Sequence, residues 1–140
     1  MQNSIIEREE ELVQNFQFLE NWDDKYQYVI EFGDKIPVLN DEKKTDDLLV
    51  RSCQSRLWLD HEYRNGKLLF FADCDSPFPK GLASLFIFLI NNESPKDIIE
   101  SEIKILERTK LIHHLSPIRY RGIVGFYNQL KSLTRPYLNK

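Results

Sequence analysis

Two runs of alternating apolar and polar residues flank the dipeptide Asn65-Gly66, and this arrangement constrains the fold more than any other feature of the sequence. Asn-Gly is the favoured centre of a two-residue type I′ turn, which joins antiparallel strands in a fixed register. Strands are therefore predicted over residues 56–63 and 67–73. The face predicted to line the core carries Leu57, Leu59, His61, Tyr63, Leu68, Phe70, Ala72 and Cys74, with Leu57 opposite Cys74 and Leu59 opposite Ala72.

Helix signals precede the hairpin. Ser4 and Glu7 have the spacing of a capping box. They predict a helix whose apolar stripe is Leu12, Val13, Phe16 and Leu19. Asn21 is predicted to cap a second helix, which ends near Gly33. The charged segment 41–47 is predicted to be a solvent-exposed connection between this helix and the sheet.

Further helices are predicted after the hairpin. Residues 82–90 are apolar on nearly every side, which is typical of a helix buried in the centre of a domain. Ser94-Pro95 and Ser116-Pro117 each combine an N-cap with proline at the first helical position. With a third strand predicted around residues 48–50, the fold class is α+β, a small antiparallel β-sheet of about three strands packed against helices.

The composition fits one domain spanning residues 1–140. Hydrophobic residues make up 41% and charged residues 29%, a balance that excludes a disordered chain. A formal net charge of −3 argues against binding nucleic acid by bulk electrostatic attraction. No apolar run approaches the ~20 residues that span a bilayer. The acidic N-terminus lacks the character of a signal or transit peptide, so a soluble, cytoplasmic protein with no membrane partner is predicted.

The sequence holds two cysteines, and their surroundings differ. Cys53 lies in the polar run Arg51-Ser52-Cys53-Gln54-Ser55, where Arg51 and Arg56 could favour a thiolate, so reactive and incidental roles are weighted equally. Cys74 is interpreted as a small residue at a strand end. Because it faces Leu57, four residues or roughly 13 Å along the strand from Cys53, no disulfide is expected.

Metal and anion sites are the next candidates. Two cysteines and three histidines without the usual close Cys or Cys/His pairs do not match a zinc or iron–sulfur site, so no metal and no cofactor is predicted. A hydrolase that uses cysteine and histidine stays open, because the two need only meet in space. Lys80 and Arg119 fall near predicted helix starts. They either reach into solvent or help, with backbone amides, to hold an anionic sulfur.

Several blocks of the sequence, taken together, resemble the SufE family, the sulfur acceptors of cysteine desulfurases, which includes the similar CsdE proteins. The resemblance covers roughly residues 8 to 135. The matching blocks are Asn21-Trp22-x-x-Lys25-Tyr26, the end of the second helix from Gly33 to Pro37, Cys53-Gln54-Ser55 followed by Trp58, Asp73-x-Asp75 leading to Lys80-Gly81-Leu82, and His114-Leu115-Ser116-Pro117-x-Arg119-x-x-Gly122.

The resemblance implies a fold shared with IscU-type scaffolds and a function in sulfur transfer. Cys53 matches the cysteine that accepts a persulfide sulfur, with Gln54, Ser55, Asp75, Lys80 and Arg119 as candidate binding residues. The implied partners are a PLP-dependent cysteine desulfurase of the SufS or CsdA type, which the chain would stimulate, and an Fe–S scaffold protein. A homodimer is left open. The role implied is that of a transfer partner more than of a stand-alone enzyme.

The sequence also departs from the family pattern. Cys74 stands where a small residue such as serine is usual, and Tyr120-Arg121 replaces a small polar pair before Gly122. These departures affect the details of partner contact. Two alternatives remain at this point: an interaction module in which Cys53 has no chemical role, and a cysteine-dependent hydrolase.

Overall fold

The computed structural model describes residues 4–140 and has an α+β architecture, as predicted. Two strands form one antiparallel sheet, and six α-helices precede and follow it. Several short 3-10 turns join these elements. In chain order the elements are α1 (Ile5–Gln17), α2 (Trp22–Phe32), β1 (Leu57–Arg64), β2 (Lys67–Cys74), α3 (Pro77–Ile90), α4 (Pro95–Glu100), α5 (Ile105–Arg108) and α6 (Pro117–Thr134).

The hairpin has the predicted register. Leu57 pairs with Cys74 and Leu59 with Ala72. Asn65 and Gly66 both have positive φ angles, 54° and 77°, as a type I′ turn requires. Five side chains of the predicted core face are buried, namely Leu57, Leu59, Leu68, Phe70 and Ala72. The other three, His61, Tyr63 and Cys74, are half-buried.

The third strand predicted around residues 48–50 does not form. Asp46–Leu48 is a 3-10 turn, and the chain turns again at Arg51. Only one isolated bridge, Leu49 to Trp58, remains between these turns. The prediction was wrong because two turns leave too few extended residues for a ladder.

The predicted helix starts are confirmed. Ser4 and Glu7 form the capping box of α1, and Asn21, Ser94 and Ser116 cap α2, α4 and α6 through their side chains. α1 ends at Gln17, so the predicted stripe residue Leu19 lies beyond the helix and is half-buried.

Helix α3 is the centre of the molecule and packs against α1, α2, α6 and β2. Residues 82–90 of this helix are buried apart from Phe88, as predicted, although the helix begins earlier, at Pro77. Gly81 permits close contact with α2, because a Cβ atom at this position would lie 2.0 Å from the Val29 carbonyl oxygen. Across residues 4–140, no helix combines the length and the apolar character needed to cross a membrane.

The charged connection is not fully solvent-exposed. Lys44 Nζ lies 2.6 Å from an Asp73 carboxylate oxygen and 5.8 Å from the centroid of the Trp58 ring, and its side chain is only 23% exposed. Asp41 is its second carboxylate partner, at 2.8 Å. The prediction failed at Lys44 because the hairpin presents a carboxylate and an aromatic ring on its outer face, and the lysine stem packs there.

Candidate functional site

A loop of residues 51–56, called the cysteine loop below, is closed by backbone contacts at its two ends. The amide of Val50 donates to the carbonyl of Leu57 at 2.8 Å. Leu49 forms the isolated bridge with Trp58. Strand β1 therefore fixes both ends of the cysteine loop, and other elements must position its tip.

Cys53 is half-buried, and its thiol faces a backbone carbonyl. The Sγ atom donates to the carbonyl oxygen of Gly122, at a distance of 3.6 Å. Burial raises the pKa of the Cys53 thiol, and the neighbouring Ser52 side chain lowers it by a smaller amount. The raised pKa favours the protonated thiol, which is a weaker nucleophile than the thiolate.

Arg51 and Arg56 do not supply the positive charge that the sequence suggested for this thiol. Arg51 donates to the carbonyl of Asp46 at 3.2 Å. The guanidinium of Arg56 lies 5.5 Å from the centroid of the Trp58 ring. The expectation was wrong because Arg51 is bound to the 3-10 turn before the loop, and Arg56 lies over a ring on the outer face of the sheet.

A cavity of about 80 Å³ lies beside Cys53, between the cysteine loop, α3 and α6. A water molecule takes about 30 Å³ of the liquid, so the cavity has room for one further sulfur atom on Cys53. Its apolar wall consists of Leu57, Pro79, Leu82, Ile118 and Ile123. Its other lining residues are Cys53, Gln54, Ser55, Arg119 and Gly122.

Arg119 brings positive charge to this cavity. It lies in the first turn of α6, where its backbone amide donates to the hydroxyl oxygen of the N-cap residue Ser116 at 3.2 Å. Its guanidinium lies 5.0 Å from the centroid of the buried Phe78 ring, which stacks on Tyr26 at 4.5 Å. The side chain is exposed to solvent and also lines the cavity. Arg119 is not among the causes of the Cys53 pKa shift, of which burial is the largest.

Ser55 and Asp75 connect the cysteine loop to the segment after β2. The Ser55 hydroxyl lies 3.1 Å from that of Ser76. The Asp75 carboxylate accepts from the Arg56 amide at 3.1 Å, and the Asp75 amide donates to the Arg56 carbonyl at 3.0 Å. These contacts extend the hairpin register past the end of the strands. Gln54 is exposed at the cavity rim.

Lys80 does not line the Cys53 cavity in the described part of the chain. Its ammonium lies 3.2 Å from an Asp73 carboxylate oxygen. Burial raises the pKa of Asp73, but the hydrogen bonds from Lys44 and Lys80 prevail, and the pKa falls below its ordinary value. Lys80 is therefore held by Asp73 and is not positioned to stabilise a sulfur anion on Cys53.

Cys74 occupies a different environment from Cys53. It is half-buried beside a second cavity, of about 280 Å³, which Asp75 and Lys80 also line. Burial raises the pKa of Cys74 to about 11, and the neighbouring carboxylate of Asp75 adds to this. Both cysteines are free thiols.

The histidines have other partners. The His61 ring nitrogen lies 3.0 Å from the Tyr137 hydroxyl, and His114 stacks on Trp22 with ring centroids 4.1 Å apart. None of the described residues lining the Cys53 cavity is a histidine. Within residues 4–140, no group of three or more His, Cys, Asp or Glu side chains is arranged to hold a metal ion.

The sequence interpretation missed several features of the surroundings of Cys53. The apolar wall needs the packing of α3 against α6, which no local pattern reveals. The contact between Ser52 and Gly125, across the loop and the helix, was also missed. One signal was available, because Gly122 and Gly125 are three residues apart and so share one face of a helix.

The comparisons with known proteins agree with this fold. A solution structure of a hypothetical protein from Thermus thermophilus superimposes with a TM-score of 0.77. It is 20% identical, and the match covers 95% of this chain and 97% of that one, which shows a shared fold. The family model "SufE: Fe-S metabolism associated domain" matches residues 10–134. The chain therefore belongs to the SufE family, whose domain is associated with Fe–S metabolism.

Proposed function

We propose that this chain is a sulfur carrier that accepts persulfide sulfur from a PLP-dependent cysteine desulfurase on Cys53 and passes it on for iron–sulfur cluster assembly. The observation that carries the proposal is the position of Cys53. Its thiol adjoins a small cavity with an apolar wall and with Arg119 in its lining. Family membership supports the wider role in Fe–S metabolism.

The transfer step is an exchange between sulfur atoms. The Cys53 thiolate attacks the outer sulfur of a persulfide on the desulfurase and forms a new S–S bond. The S–S bond in the desulfurase breaks, and its cysteine leaves as a thiolate. The proton released from the Cys53 thiol balances the one that the leaving thiolate takes up, and no external oxidant is consumed.

The closed conformation protects sulfur but does not favour attack. The Cys53 thiol is protonated, half-buried and directed at the Gly122 carbonyl. The attacking thiol must be accessible and deprotonated. We therefore infer that desulfurase binding draws the cysteine loop outward. Hydrogen exchange at residues 49–55 should then increase when the desulfurase is added, and unchanged protection would contradict the movement.

The remaining candidate residues divide into two groups. Gln54 and Arg119 are exposed at the rim, so they are proposed to contact the partner, and Arg119 also to stabilise the sulfur anion. Asp75 and Lys80 are proposed to act through the framework, because Asp75 bonds to the loop backbone and Lys80 to Asp73.

Sulfur labelling tests the proposal. A desulfurase supplied with cysteine should add the mass of one sulfur atom to the Cys53 peptide, and Cys53→Ala should abolish both this label and any stimulation of the desulfurase. Cys74→Ala is the matched control and should leave the Cys53 label in place. Stimulation that survives Cys53→Ala would indicate an interaction module instead. Turnover of an ester or amide without a partner protein would indicate a hydrolase.

A further inference from the structure

Two glycines of α6 face the cysteine loop, but they do not offer the same space. A Cβ atom at Gly122 would lie 3.4 Å from the Ser52 carbonyl oxygen and 3.7 Å from Cys53 Sγ, which are ordinary contact distances. A Cβ atom at Gly125 would lie 2.3 Å from Ser52 Oγ and 2.4 Å from Ser52 Cβ. Only glycine at position 125 therefore leaves room for the Ser52 side chain.

The Ser52 side chain is held at this position by a hydrogen bond. Its hydroxyl donates to the carbonyl oxygen of Gly122 at 3.2 Å, and the Cys53 thiol donates to the same oxygen at 3.6 Å. Two consecutive residues of the cysteine loop are thus attached to one carbonyl of α6. Whatever displaces Ser52 from the helix also withdraws the neighbouring sulfur from its partner.

The contact between the Ser52 side chain and α6 can break while the rest of the domain stays folded. Ser52 is exposed to solvent and is not part of the hydrophobic core, so the tip of the loop can separate from the helix without opening that core. The loop ends stay attached, because Val50 bonds to Leu57. The Ser52 side chain in the space above Gly125 is therefore the contact that separates a closed loop from an open one.

We propose that Ser52 and Gly125 form a latch in which Ser52 acts as a positioning residue, holding Cys53 against α6 and setting how often its thiol is exposed. The latch deepens the proposed function, since it takes Cys53 as the working thiol. It concerns the loop's closure, however, and can be measured without a desulfurase.

The test is the rate at which iodoacetamide alkylates the Cys53 peptide, followed by mass spectrometry. Gly125→Ala should accelerate alkylation roughly 5- to 100-fold, because the added methyl group overlaps the Ser52 side chain and shifts the loop towards the open state. Asn128→Ala, at an exposed position of the same helix, is the matched control and should leave the rate unchanged.

Double variants separate the latch from a general effect on the helix. Ser52→Ala combined with Gly125→Ala should stay fast, because the two Cβ atoms would still overlap at 2.4 Å. Ser52→Gly combined with Gly125→Ala should return close to the rate of Ser52→Gly alone, because the nearest remaining Ser52 atom, Cα, lies 3.9 Å away. A Gly125→Ala acceleration, measured against the same protein with Gly125, that is as large in the Ser52→Gly background as in the wild type would overturn the proposal.

Global unfolding is monitored by the other thiol. Alanine raises helix propensity, which offsets part of the cost of the overlap, so Gly125→Ala should stay folded and melt in a single cooperative transition. Alkylation that accelerates equally at Cys74 would mean that the whole domain opens and would overturn the latch. Ser52→Val gives a second check, because it removes the hydroxyl that donates to the Gly122 carbonyl oxygen and should also accelerate alkylation of Cys53 alone. If the variants alkylate at the expected rates but Cys53 accepts no sulfur from a desulfurase, the proposed function is refuted and the latch is not.

Discussion

The Sγ atom of Cys53 lies 3.6 Å from the carbonyl oxygen of Gly122, so the proposed working thiol of this domain donates a weak hydrogen bond to a helix backbone. A carbonyl oxygen accepts from the thiol but repels the thiolate, so this contact favours the protonated form. The closed conformation therefore stores an unreactive thiol, and reactivity depends on a change in the surroundings of Cys53.

This arrangement predicts the pH dependence of Cys53 alkylation. Burial raises the pKa of the thiol, so the thiolate forms only above the pH range in which it forms in the unfolded chain. The midpoint of the rate–pH profile should therefore be higher for the folded protein than for the same protein in denaturant. Iodoacetamide labelling with quantification of the Cys53 peptide measures both profiles. A folded-state midpoint at or below the unfolded one would contradict the assignment.

The raised pKa of the Cys74 thiol predicts that the folded domain loses stability at high pH. Its folded-state pKa is raised to about 11, above the value of 9.0 for a free thiol, so both states are protonated at neutral pH. As the pH rises from about 9 to about 11, the unfolded chain ionises first, and the free energy of unfolding should fall by about 1–2 kcal/mol. Urea unfolding of the wild type and Cys74→Ala isolates this effect. A difference between the two proteins that stays constant with pH would refute it.

The contacts of Glu9 link α1 to the start and end of α5, and we expect them to stabilise the domain. Its buried carboxylate accepts from the Lys104 amide at 2.6 Å and lies 3.5 Å from Arg108. Glu9→Ala should lower the free energy of unfolding by about 2–3 kcal/mol, because the amide loses its acceptor. Glu10 also pairs with Arg108 but is half exposed, so Glu10→Ala should cost less than about 0.5 kcal/mol. Chemical denaturation that gives equal losses would contradict this prediction.

The contact between α2 and α3 predicts different tolerances at two glycines. Gly81→Ala should destabilise the domain by about 3 kcal/mol or more, since its Cβ would lie 2.0 Å from the Val29 carbonyl oxygen and the helices must separate. Gly33→Ala should change stability by less than about 1 kcal/mol, because its φ is −58° and the nearest atom is a flexible Lys80 carbon at 3.4 Å. Thermal melts of the two variants test the contrast.

The parts of the fold that could be predicted are those determined by neighbouring residues. Asn65-Gly66 has the dihedral preferences of a type I′ turn, and the strand register follows from that turn. Side-chain caps such as Ser116 act on an amide three residues away, so the starts of the four capped helices α1, α2, α4 and α6 were predicted correctly. The prediction of a third strand was wrong because residues 46–48 form a 3-10 turn, which leaves the apolar run at residues 48–50 too short for a strand.

The candidate site could be predicted only in part. The motif around Cys53 singled out the residue, and Arg119 does line the same cavity. Lys80, which was predicted to be a binding residue, does not line this cavity. It pairs instead with Asp73, which also pairs with Lys44 on the outer face of the hairpin. The packing of the Ser52 side chain could not be predicted from the sequence. It depends on the space next to Gly125, which lies far along the chain.

The sequence alone therefore determined the hairpin, the helix caps and the buried character of α3. These features depend on dihedral preferences, on hydrogen bonds within a few residues and on hydrophobic patterning, all of which are local. The tertiary structure decided that Cys53 lies against the Gly122 carbonyl, where burial raises the pKa of its thiol, that a small cavity adjoins it, and that Lys80 lies elsewhere. Those properties depend on burial and on partners distant in sequence, which are fixed only when α3, α6 and the hairpin pack together.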